Sequence, residues 1–308
     1  MPNMTPNELY LEYRKGMSGC LWEQHIYDRL MAESRYAYFK DGAKKIKNSG
    51  AGKLSTPYRS VLKFDKKSFT ERQTTGDCVS HATRNACDVS RAVEIDIKGD
   101  KESWVARGAT EAIYGARGHG GQGMSCSRAA QFVSQNGGIL VRKNYPGVAD
   151  FSKYNGSMGA KWGARGLPDR VIDKADDHQI RTVSLIRTVE EARDALANGY
   201  GLSVCSGYGF SNRRDSKGFS RKSGSWAHAM AWTACDDTGA EPAFLVQNSW
   251  GKWNDGGHPE WGPIPDGSFL IHADVAEGML RQNGAYAFSD FNGFPPQKLP
   301  DYGFVDYL

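Results

Sequence analysis

The chain has 308 residues and a mass of 33.9 kDa, which is enough for one large domain or two small ones. Hydrophobic residues make up 39% of the sequence, a proportion that excludes disorder as the dominant state. Lysine and arginine exceed aspartate and glutamate by only 39 to 35, so the charge does not indicate a nucleic-acid-binding protein. Because no segment approaches the roughly 18 uncharged apolar residues of a membrane span, we expect no membrane partner either.

The cysteines show no spacing typical of a metal site. The first 16 residues also lack the apolar region of a secretory signal, which indicates a protein that is not exported. Reduced thiols are the rule in such a compartment, so we expect all six cysteines to be unpaired, with neither a metal nor a cofactor. The six are Cys20, Cys78, Cys87, Cys126, Cys205 and Cys235.

The first 55 residues are polar and form an extension ahead of the main domain. Apolar residues recur within residues 23–39, which predicts a helix there. A lysine- and glycine-rich linker follows over residues 41–53. We therefore place a domain boundary after Ser55 and interpret residues 1–55 as an arm or a propeptide.

Two helices are predicted in the first half of the main domain. Apolar residues recur at steps of three and four from residue 79 to residue 93, which predicts a helix with Cys78 at its N-terminus. A glycine-rich loop over residues 115–123 precedes the second helix, which ends at Gly137.

The second half contains one helix signal and then strand signals. Thr188 and Glu191 form a capping box that opens a helix, and Gly199 is a natural C-terminal stop. Short apolar or alternating segments bounded by turn residues predict strands at residues 202–205, 226–235, 243–246 and 268–271. Helices first and strands second predict an α+β fold with a helical half and a sheet half.

Two further segments lack a strong pattern. Residues 211–224 contain five cationic side chains and one acidic one, and we interpret them as a solvated loop, with recognition of an acidic substrate or partner as the alternative. The last residues, 281–308, contain proline and scattered aromatics, and we expect a C-terminal tail there.

Cys78 is the first residue with a pattern typical of catalysis. A thiol attacks as the thiolate, and both a helix N-terminus and a nearby histidine lower the pKa of a thiol. Gln73 lies five residues earlier and could supply an amide donor, while Asp77 is interpreted as the N-cap of the helix. The alternative is that Cys78 is a small packing residue of the helix.

A histidine and an asparagine follow about 150 residues downstream. His228 lies on a predicted strand among small apolar residues, where an imidazole needs a polar partner. Asn248 comes twenty residues later and begins the sequence Asn-Ser-Trp-Gly. An asparagine in this position can bond one imidazole nitrogen and leave the other for a thiol, while Trp250 shields that bond from water.

In this order, the motifs resemble those of papain-like cysteine peptidases. Gln-x-x-Gly-x-Cys resembles the helix entry of the family, and the glycine-rich loop with the helix after it resembles the central helix. Ala-His-Ala-Met-Ala-Trp resembles the histidine strand, and Gln-Asn-Ser-Trp-Gly resembles the asparagine strand. The resemblance covers about residues 56–280 and is typical of a divergent bacterial or viral member.

The resemblance implies a fold and a set of site residues. The fold would have two subdomains, a helical left half and an antiparallel β-barrel-like right half, with the active-site cleft between them. Cys78 would be the nucleophile, His228 the general base and acid, and Asn248 the orienting residue. Gln73 would complete the oxyanion hole with the backbone N–H of Cys78.

The substrate is also implied by the resemblance. Gly121 and Gly123 would offer backbone hydrogen bonds to an extended peptide, with Trp250 as a further binding residue.

Three positions differ from the pattern of the family. Val79 follows the nucleophile where the family usually has tryptophan, and Thr75 occupies the place of a frequent half-cystine. Gln73 is one residue closer to the cysteine than usual.

We therefore expect a cysteine peptidase that cleaves peptide bonds through an acyl-enzyme. Two alternatives stay open: a structural or assembly protein, such as a virion component, that keeps the fold with little proteolysis, and a Cys-His amidase of cell-wall peptides. The expected partners are a peptide or protein substrate and, through the terminal arms, assembly partners. The expected location is the cytoplasm or a virion.

Overall fold

The computed structural model describes residues 19–32, 38–99 and 102–290, and helices and strands alternate along them. The α-helices of this part of the chain are α1 (Gln24–Ala32), α2 (Phe39–Gly42), α3 (Tyr58–Phe64), α4 (Cys78–Lys98), α5 (Glu111–Gly115), α6 (Cys126–Gln135), α7 (Gly156–Arg165), α8 (Asp169–Asp176), α9 (Val189–Ala197) and α10 (Ala273–Leu280). The strands are β1 (Cys20–Leu21), β2 (Leu54–Ser55), β3 (Met124–Ser125), β4 (Asn144–Tyr145), β5 (Ala149–Asp150), β6 (Thr182–Leu185), β7 (Leu202–Arg214), β8 (Ser220–Asp236), β9 (Ala243–Gln247), β10 (Asp255–Gly256), β11 (Ser268–His272) and β12 (Ala285–Ser289). Short 3₁₀ helices span Lys44–Ile46 and Ser68–Thr70.

The main sheet has the strand order β11-β9-β8-β7-β12-β6, and neighbouring strands along this path are antiparallel. The short strand β2 pairs with the end of β8, and β10 pairs with β7 in parallel. The path does not return from β6 to β11, so the sheet is not closed. The α+β class is confirmed, whereas the expected barrel-like half is an open sheet.

Hydrophobic clusters divide the fold into two halves. One cluster contains the start of α4, helix α6 and the apolar residues of α5, and it includes Val79, Phe132 and Phe151. The other lies on the sheet and includes Trp232 and Phe269. A third, smaller cluster that includes Tyr58, Val89 and Leu245 lies between α3, α4 and the sheet. Together these cores produce a helical half and a sheet half with a boundary surface between them.

The long helix α4 supports both halves. Its apolar face is buried against β7, β8 and β12, and the helix ends at Gly99, which has φ 65°. That left-handed conformation has little cost for glycine, which explains why the helix ends there. Cys78, the first residue of the helix, is thereby fixed at the boundary between the halves.

The capping box that the sequence predicts is present at α9. Thr188 accepts the backbone N–H of Glu191, and the Glu191 side chain accepts the backbone N–H of Thr188. Gly199 follows the helix with φ 80°. The prediction is confirmed because every atom in this motif lies within a few residues of the helix start.

The strand predictions are confirmed in position but were too short in two places. The basic segment 211–224, interpreted as a loop, is mostly the ends of β7 and β8, which form one long hairpin. The loop interpretation is wrong because register pairing between the two strands continues as far as Arg214 and Ser220. Only residues 215–219 form the turn.

The chain segments near the predicted domain boundaries also contribute to the sheet. Strand β12 lies between β6 and β7, so sheet pairing continues beyond residue 280. Residues 1–18 and 291–308 lie outside the described part of the chain, and so does the middle of the helix predicted over residues 23–39, of which α1 is the first part. The arms at 1–55 and 281–308 stay predictions.

Cys126 and Cys205 form a disulfide that joins α6 to β7. The expectation that all six cysteines are unpaired is therefore wrong for these two. The two residues are 79 positions apart in the sequence and come together only when the helical half packs on the sheet. Cys20, Cys78, Cys87 and Cys235 are free thiols.

None of the described helices is both long and apolar enough to cross a membrane.

Candidate active site

Cys78 lies at the N-terminus of α4 and is completely buried. Backbone N–H groups of Gly19, Val79 and Ala229 lie within hydrogen-bonding reach of its sulfur and stabilise the thiolate. Burial nevertheless dominates and, with the nearby Asp77 carboxylate, raises the pKa of the Cys78 thiol to about 12. In this state the sulfur is a neutral thiol at physiological pH.

His228 and Asn248 form the direct contact that the sequence predicts. Nε2 of His228 lies 2.9 Å from Oδ1 of Asn248, and both side chains are fully buried. The same amide oxygen accepts the backbone N–H of Ser249, so the atom facing the ring is an acceptor. The imidazole must therefore donate from Nε2, which leaves Nδ1 as the basic nitrogen.

The basic nitrogen of His228 is not occupied. Nδ1 is buried without a hydrogen-bond partner among the described residues, and burial lowers the pKa of His228 to about 4. The hydrogen bond to Asn248 opposes this shift by raising the pKa, and His81 adds to the lowering. The ring is thus a neutral base in the correct tautomer for removing a proton.

Aromatic rings enclose the His228–Asn248 pair. Trp250 packs on the imidazole with ring centroids 4.6 Å apart, and Trp226 approaches the same ring edge-on at 6.0 Å. Trp253 packs against both tryptophans. Because these rings are buried, they exclude water from the hydrogen bond, which is the arrangement predicted for Trp250.

The thiol and the histidine are neighbours but are not hydrogen-bonded to each other. Ala229, whose amide lies at the Cys78 sulfur, is the residue after His228 on β8. The structure therefore brings the histidine strand against the helix start, yet neither the Cys78 thiol nor Nδ1 bonds to the other. The three residues predicted to form the triad thus lie in one place, but no hydrogen bond joins the Cys78 sulfur to Nδ1 of His228.

Gln73 connects the two motifs of the site. Its backbone N–H donates to the carbonyl of Ser249, and its side-chain oxygen accepts the Ser249 hydroxyl at 2.5 Å. Its amide nitrogen donates to the carbonyl of Thr75 at 2.8 Å. Gln73 is therefore fixed to Ser249 of the Asn-Ser-Trp-Gly segment, and its part in an oxyanion hole stays a prediction.

Asp77 does not cap the helix with its side chain, contrary to the sequence-based interpretation. It occupies the N-cap position, but its carboxylate accepts the hydroxyl of Tyr154 at 2.8 Å and lies 3.6 Å from Nε2 of His81. Tyr154 comes from a separate loop 77 residues away, so no local pattern could have indicated this contact. The buried carboxylate stays next to the thiol.

The glycine-rich loop forms one wall of the site. Gly121 is exposed, whereas Gly123 is buried and has φ 89°. A Cβ atom on Gly123 would lie 2.8 Å from the carbonyl oxygen of Gly19, so only glycine permits the close approach of these two segments.

The N-terminal segment of the chain occupies the space in front of Cys78. The carbonyl of Gly19 accepts the backbone N–H of Met124 at 2.7 Å, and β1 pairs with β3 in parallel. A Cβ on Gly19 would lie 2.1 Å from the carbonyl oxygen of Gly76, so the segment is pressed against the residues ahead of the nucleophile. The sequence gives no signal for this strand, which consists of two residues.

An ion pair anchors this N-terminal segment. Glu23 accepts from the Arg128 guanidinium through both oxygens, and it also accepts the hydroxyl of Ser125 at 2.6 Å. These hydrogen bonds lower the pKa of Glu23 although burial acts in the opposite direction. Ile26 and Leu30 of α1 are then buried in the core of the helical half.

A buried charge network lies behind the nucleophile helix. Arg142 bonds Glu71 at 2.7 Å and Glu111 at 2.6 Å, and Arg84 of α4 lies 3.5 Å from Glu71. Burial raises the pKa of Glu71, but the two guanidinium groups outweigh it and lower that pKa to about 2. The network fixes the residues on either side of Cys78 in charged form.

Among the described residues, no group of three or more His, Cys, Asp or Glu side chains is placed to hold a metal ion.

A scan against protein-family models and a search of curated proteins find no match to the sequence. Solved structures do match the fold. Xylellain, a cysteine protease from Xylella fastidiosa, is 14% identical with a TM-score of 0.54, and the alignment covers 89% of this chain and 95% of that one. ProCathepsin B S9 from Trypanosoma congolense is 12% identical with a TM-score of 0.54, covering 97% of this chain and 91% of that one.

A third similar structure is the proform of Amb a 11, a cysteine protease and major ragweed pollen allergen. It is 16% identical with a TM-score of 0.51, and the alignment covers 92% of this chain and 76% of that one. At these identities the similarity establishes the fold, which is papain-like, and the activity has to be argued from the residues of this chain.

Proposed function

We propose that this protein is a cysteine peptidase that hydrolyses peptide bonds through an acyl-enzyme on Cys78. The observation that carries the proposal is the buried His228–Asn248 hydrogen bond, which leaves the basic nitrogen of the histidine free beside a thiol at a helix N-terminus. A histidine buried for structure alone would be expected to satisfy both ring nitrogens. The papain-like fold supports the same chemistry.

The reaction follows from these positions. Nδ1 of His228 takes the proton of the Cys78 thiol, and the thiolate attacks the carbonyl carbon of the scissile peptide. The negative oxygen of the tetrahedral intermediate is stabilised by the backbone N–H of Cys78 and the amide of Gln73. The imidazolium then protonates the leaving amine as the C–N bond breaks, which leaves a thioester.

Water completes the cycle. His228 accepts a proton from a water molecule, the resulting hydroxide attacks the thioester carbonyl, and the C–S bond breaks. The proton returns to the sulfur, so the enzyme is regenerated and a carboxylic acid is released. Asn248 keeps Nε2 as the donor throughout and stabilises the imidazolium in both halves of the reaction.

The substrate in this proposal is an extended peptide paired with the backbone of Gly121 and Gly123. The chain itself supplies an example of such pairing, because β1 adds to β3 beside the same loop. Since residues 19–21 occupy this place, the chain shown here is a latent form, and displacement of the segment admits the substrate. This agrees with the interpretation of residues 1–55 as a propeptide.

The latent state bears on the pKa of Cys78. Burial is the main cause of the high pKa of Cys78 and of the low pKa of His228, and residues 19–21 contribute to the burial of Cys78. Removing the segment hydrates the sulfur, which favours the thiolate. We expect the Cys78–His228 contact to form at that point.

The test uses a peptidyl epoxide that alkylates activated thiols, followed by mapping of the adduct by mass spectrometry. Once residues 19–21 are displaced, we expect labelling of Cys78 in the folded protein, faster than labelling of the half-buried free thiol of Cys20. Cys78→Ala should remove the adduct and all peptide cleavage, and Cys235→Ala, which removes a free thiol on the sheet, is the matched control that should change neither. A folded protein in which Cys78 stays unlabelled after that displacement contradicts the proposal.

The second function, an assembly protein with weak proteolysis, is favoured by one observation: the thiol is buried and not bonded to His228. It predicts that Cys78 remains unlabelled even after the N-terminal segment is displaced. The epoxide experiment therefore separates the two functions.

A further inference from the structure

Gln122 is the side chain between the two glycines of the cleft wall, and it reaches across to the segment that leads into Cys78. Its side-chain oxygen accepts the backbone N–H of Gly76 at 2.7 Å and the hydroxyl of Thr75 at 2.8 Å. It also accepts the hydroxyl of Tyr114 at 3.1 Å. Gln122 thus links the glycine-rich loop to the residues two and three positions before the nucleophile.

These contacts fix the orientation of the Gln122 amide. A backbone N–H can only donate, so the atom facing Gly76 must be the oxygen and not the nitrogen. The Tyr114 oxygen accepts the backbone N–H of Gly123, which leaves its own hydrogen for Gln122. With three donors on the oxygen, the NH₂ group must point away from the wall.

The NH₂ group of Gln122 is available to a ligand. The side chain is exposed, and its nitrogen donates no hydrogen bond within the described residues. The residue that lies in this part of the cleft is Gly19, which contacts both Gly76 and Gly123 and has no side chain to offer. A substrate residue in the same place would present its side chain to the amide.

The positive charge beside the glycine-rich loop favours the binding of an electron-rich ligand group. The buried Arg117 guanidinium donates to the carbonyls of Gly121, Gly159 and Ala160 and has no carboxylate within salt-bridge distance in the described part of the chain. The Asp77 carboxylate is the nearby opposite charge, but Tyr154 and His81 face it. The open donor and the uncompensated cation therefore act in the same direction.

We propose that Gln122 selects substrates whose residue at the attacked carbonyl ends in an oxygen acceptor, namely glutamate or glutamine. This rests on the proposed function, with the acyl part of the substrate paired on the Gly121–Gly123 backbone. The donor is held in place before the substrate arrives, so it contributes without further ordering of the side chain. A lysine at the same position would meet an NH₂ donor and gain no hydrogen bond.

The experiment measures alkylation of Cys78 by four peptidyl acyloxymethyl ketones that differ only in the residue next to the ketone: Glu, Gln, Met or Lys. The thiolate forms a C–S bond to the methylene carbon while the C–O bond breaks and a carboxylate leaves, so the residue next to the ketone lies at the attacked position. The second-order rate constant is read by mass spectrometry on the folded protein after residues 19–21 are displaced. We expect Glu and Gln to react about 10-fold faster than Met or Lys.

The Gln122→Glu variant gives the sharpest test. One oxygen of the introduced carboxylate can still accept the hydrogen bonds from Thr75, Gly76 and Tyr114. The other oxygen stands where the NH₂ donor was and is a charged acceptor. We expect the preference to reverse, with Lys about 10-fold faster than Glu. Gln131→Glu makes the same charge change on helix α6 and should leave the wild-type preference intact.

Two outcomes overturn the inference in distinguishable ways. If none of the four reagents alkylates Cys78, the proposed function fails and the inference fails with it. If Cys78 is alkylated but the four rates are equal, or Gln122→Glu keeps the wild-type order, only the inference is overturned.

Discussion

The two sides of the cleft are prepared to different degrees. On the sheet side, His228 and Asn248 are already bonded, the tautomer is set, and three tryptophans exclude water. On the helix side, Cys78 is at the helix start but is buried beneath residues 19–21 and is not bonded to the histidine.

The difference between the two sides indicates that, in the proposed mechanism, Cys78 must become accessible before catalysis. The base and its orienting partner depend on contacts inside the sheet half, so they are independent of the N-terminal segment. The nucleophile depends on solvent access, because burial is the main cause of its high pKa. In the proposed mechanism, activation therefore consists of changing the surroundings of one sulfur atom, and no rearrangement of the His228–Asn248 pair is needed.

The largest effect on peptide turnover should come from removing the proposed base, His228, on the sheet side of the cleft. His228→Ala should lower peptide turnover by about 10⁴-fold or more, because Nδ1 of His228 takes the thiol proton in the proposed mechanism. The measurement is kcat with a peptide substrate after the N-terminal segment is displaced. Asn248→Ala, which keeps the imidazole, is the comparison and should lose less. Retention of turnover in a folded His228→Ala variant would sink the assignment of the base.

The disulfide that joins the two sides should contribute to stability. Replacing both partners, Cys126→Ser with Cys205→Ser, should lower the free energy of unfolding by about 4 kcal/mol, since the bond closes a loop of 79 residues in the unfolded chain. Urea unfolding of the oxidised wild type and of the double variant gives the difference. Cys20→Ser removes a half-buried free thiol and serves as the control. Equal unfolding midpoints for wild type and double variant would contradict the cross-link.

Lowering the pH should destabilise the helical half, because the Glu71 carboxylate becomes protonated. Its pKa is lowered from 4.5 to about 2, so its ionised form stabilises the fold above pH 4.5, and this stability is lost as the pH falls through 4.5 towards 2. The loss is on the order of 3 kcal/mol. The free energy of unfolding is measured with urea between pH 2 and pH 6. Its dependence on pH should be weaker for Glu71→Gln than for the wild type. Identical slopes would rule out the charge network as the source.

The smallest effect should come from loosening the N-terminal segment. Glu23→Ala removes the bidentate contact to Arg128 and should speed epoxide labelling of Cys78 about 10-fold, because a half-buried, hydrogen-bonded ion pair contributes on the order of 1 kcal/mol. Glu277→Ala removes a similar pair with Arg281 at an exposed site and is the matched control. If both variants label at the wild-type rate, residues 19–21 do not limit access to the thiol.

Most of the predictions that the structure confirms came from short sequence patterns. The capping box at Thr188 and the helix start at Cys78 depend on residues within a few positions of each other, and both are present. Strands at residues 226–235 and 243–246 were also expected, and β8 and β9 are present at these places. Asp77 was interpreted incorrectly because Tyr154, which binds its carboxylate, comes from a distant loop.

By itself, the sequence determined the α+β class and which cysteine, histidine and asparagine to examine, because periodicity and motif order are local properties of the chain. Tertiary packing decided the rest: the open sheet, the Cys126–Cys205 bond, the orientation of Gln122 and the residues in front of Cys78. Each of these depends on contacts between segments far apart in the sequence. Such contacts are selected by burial and hydrogen-bond satisfaction in the whole fold, and no short pattern records them.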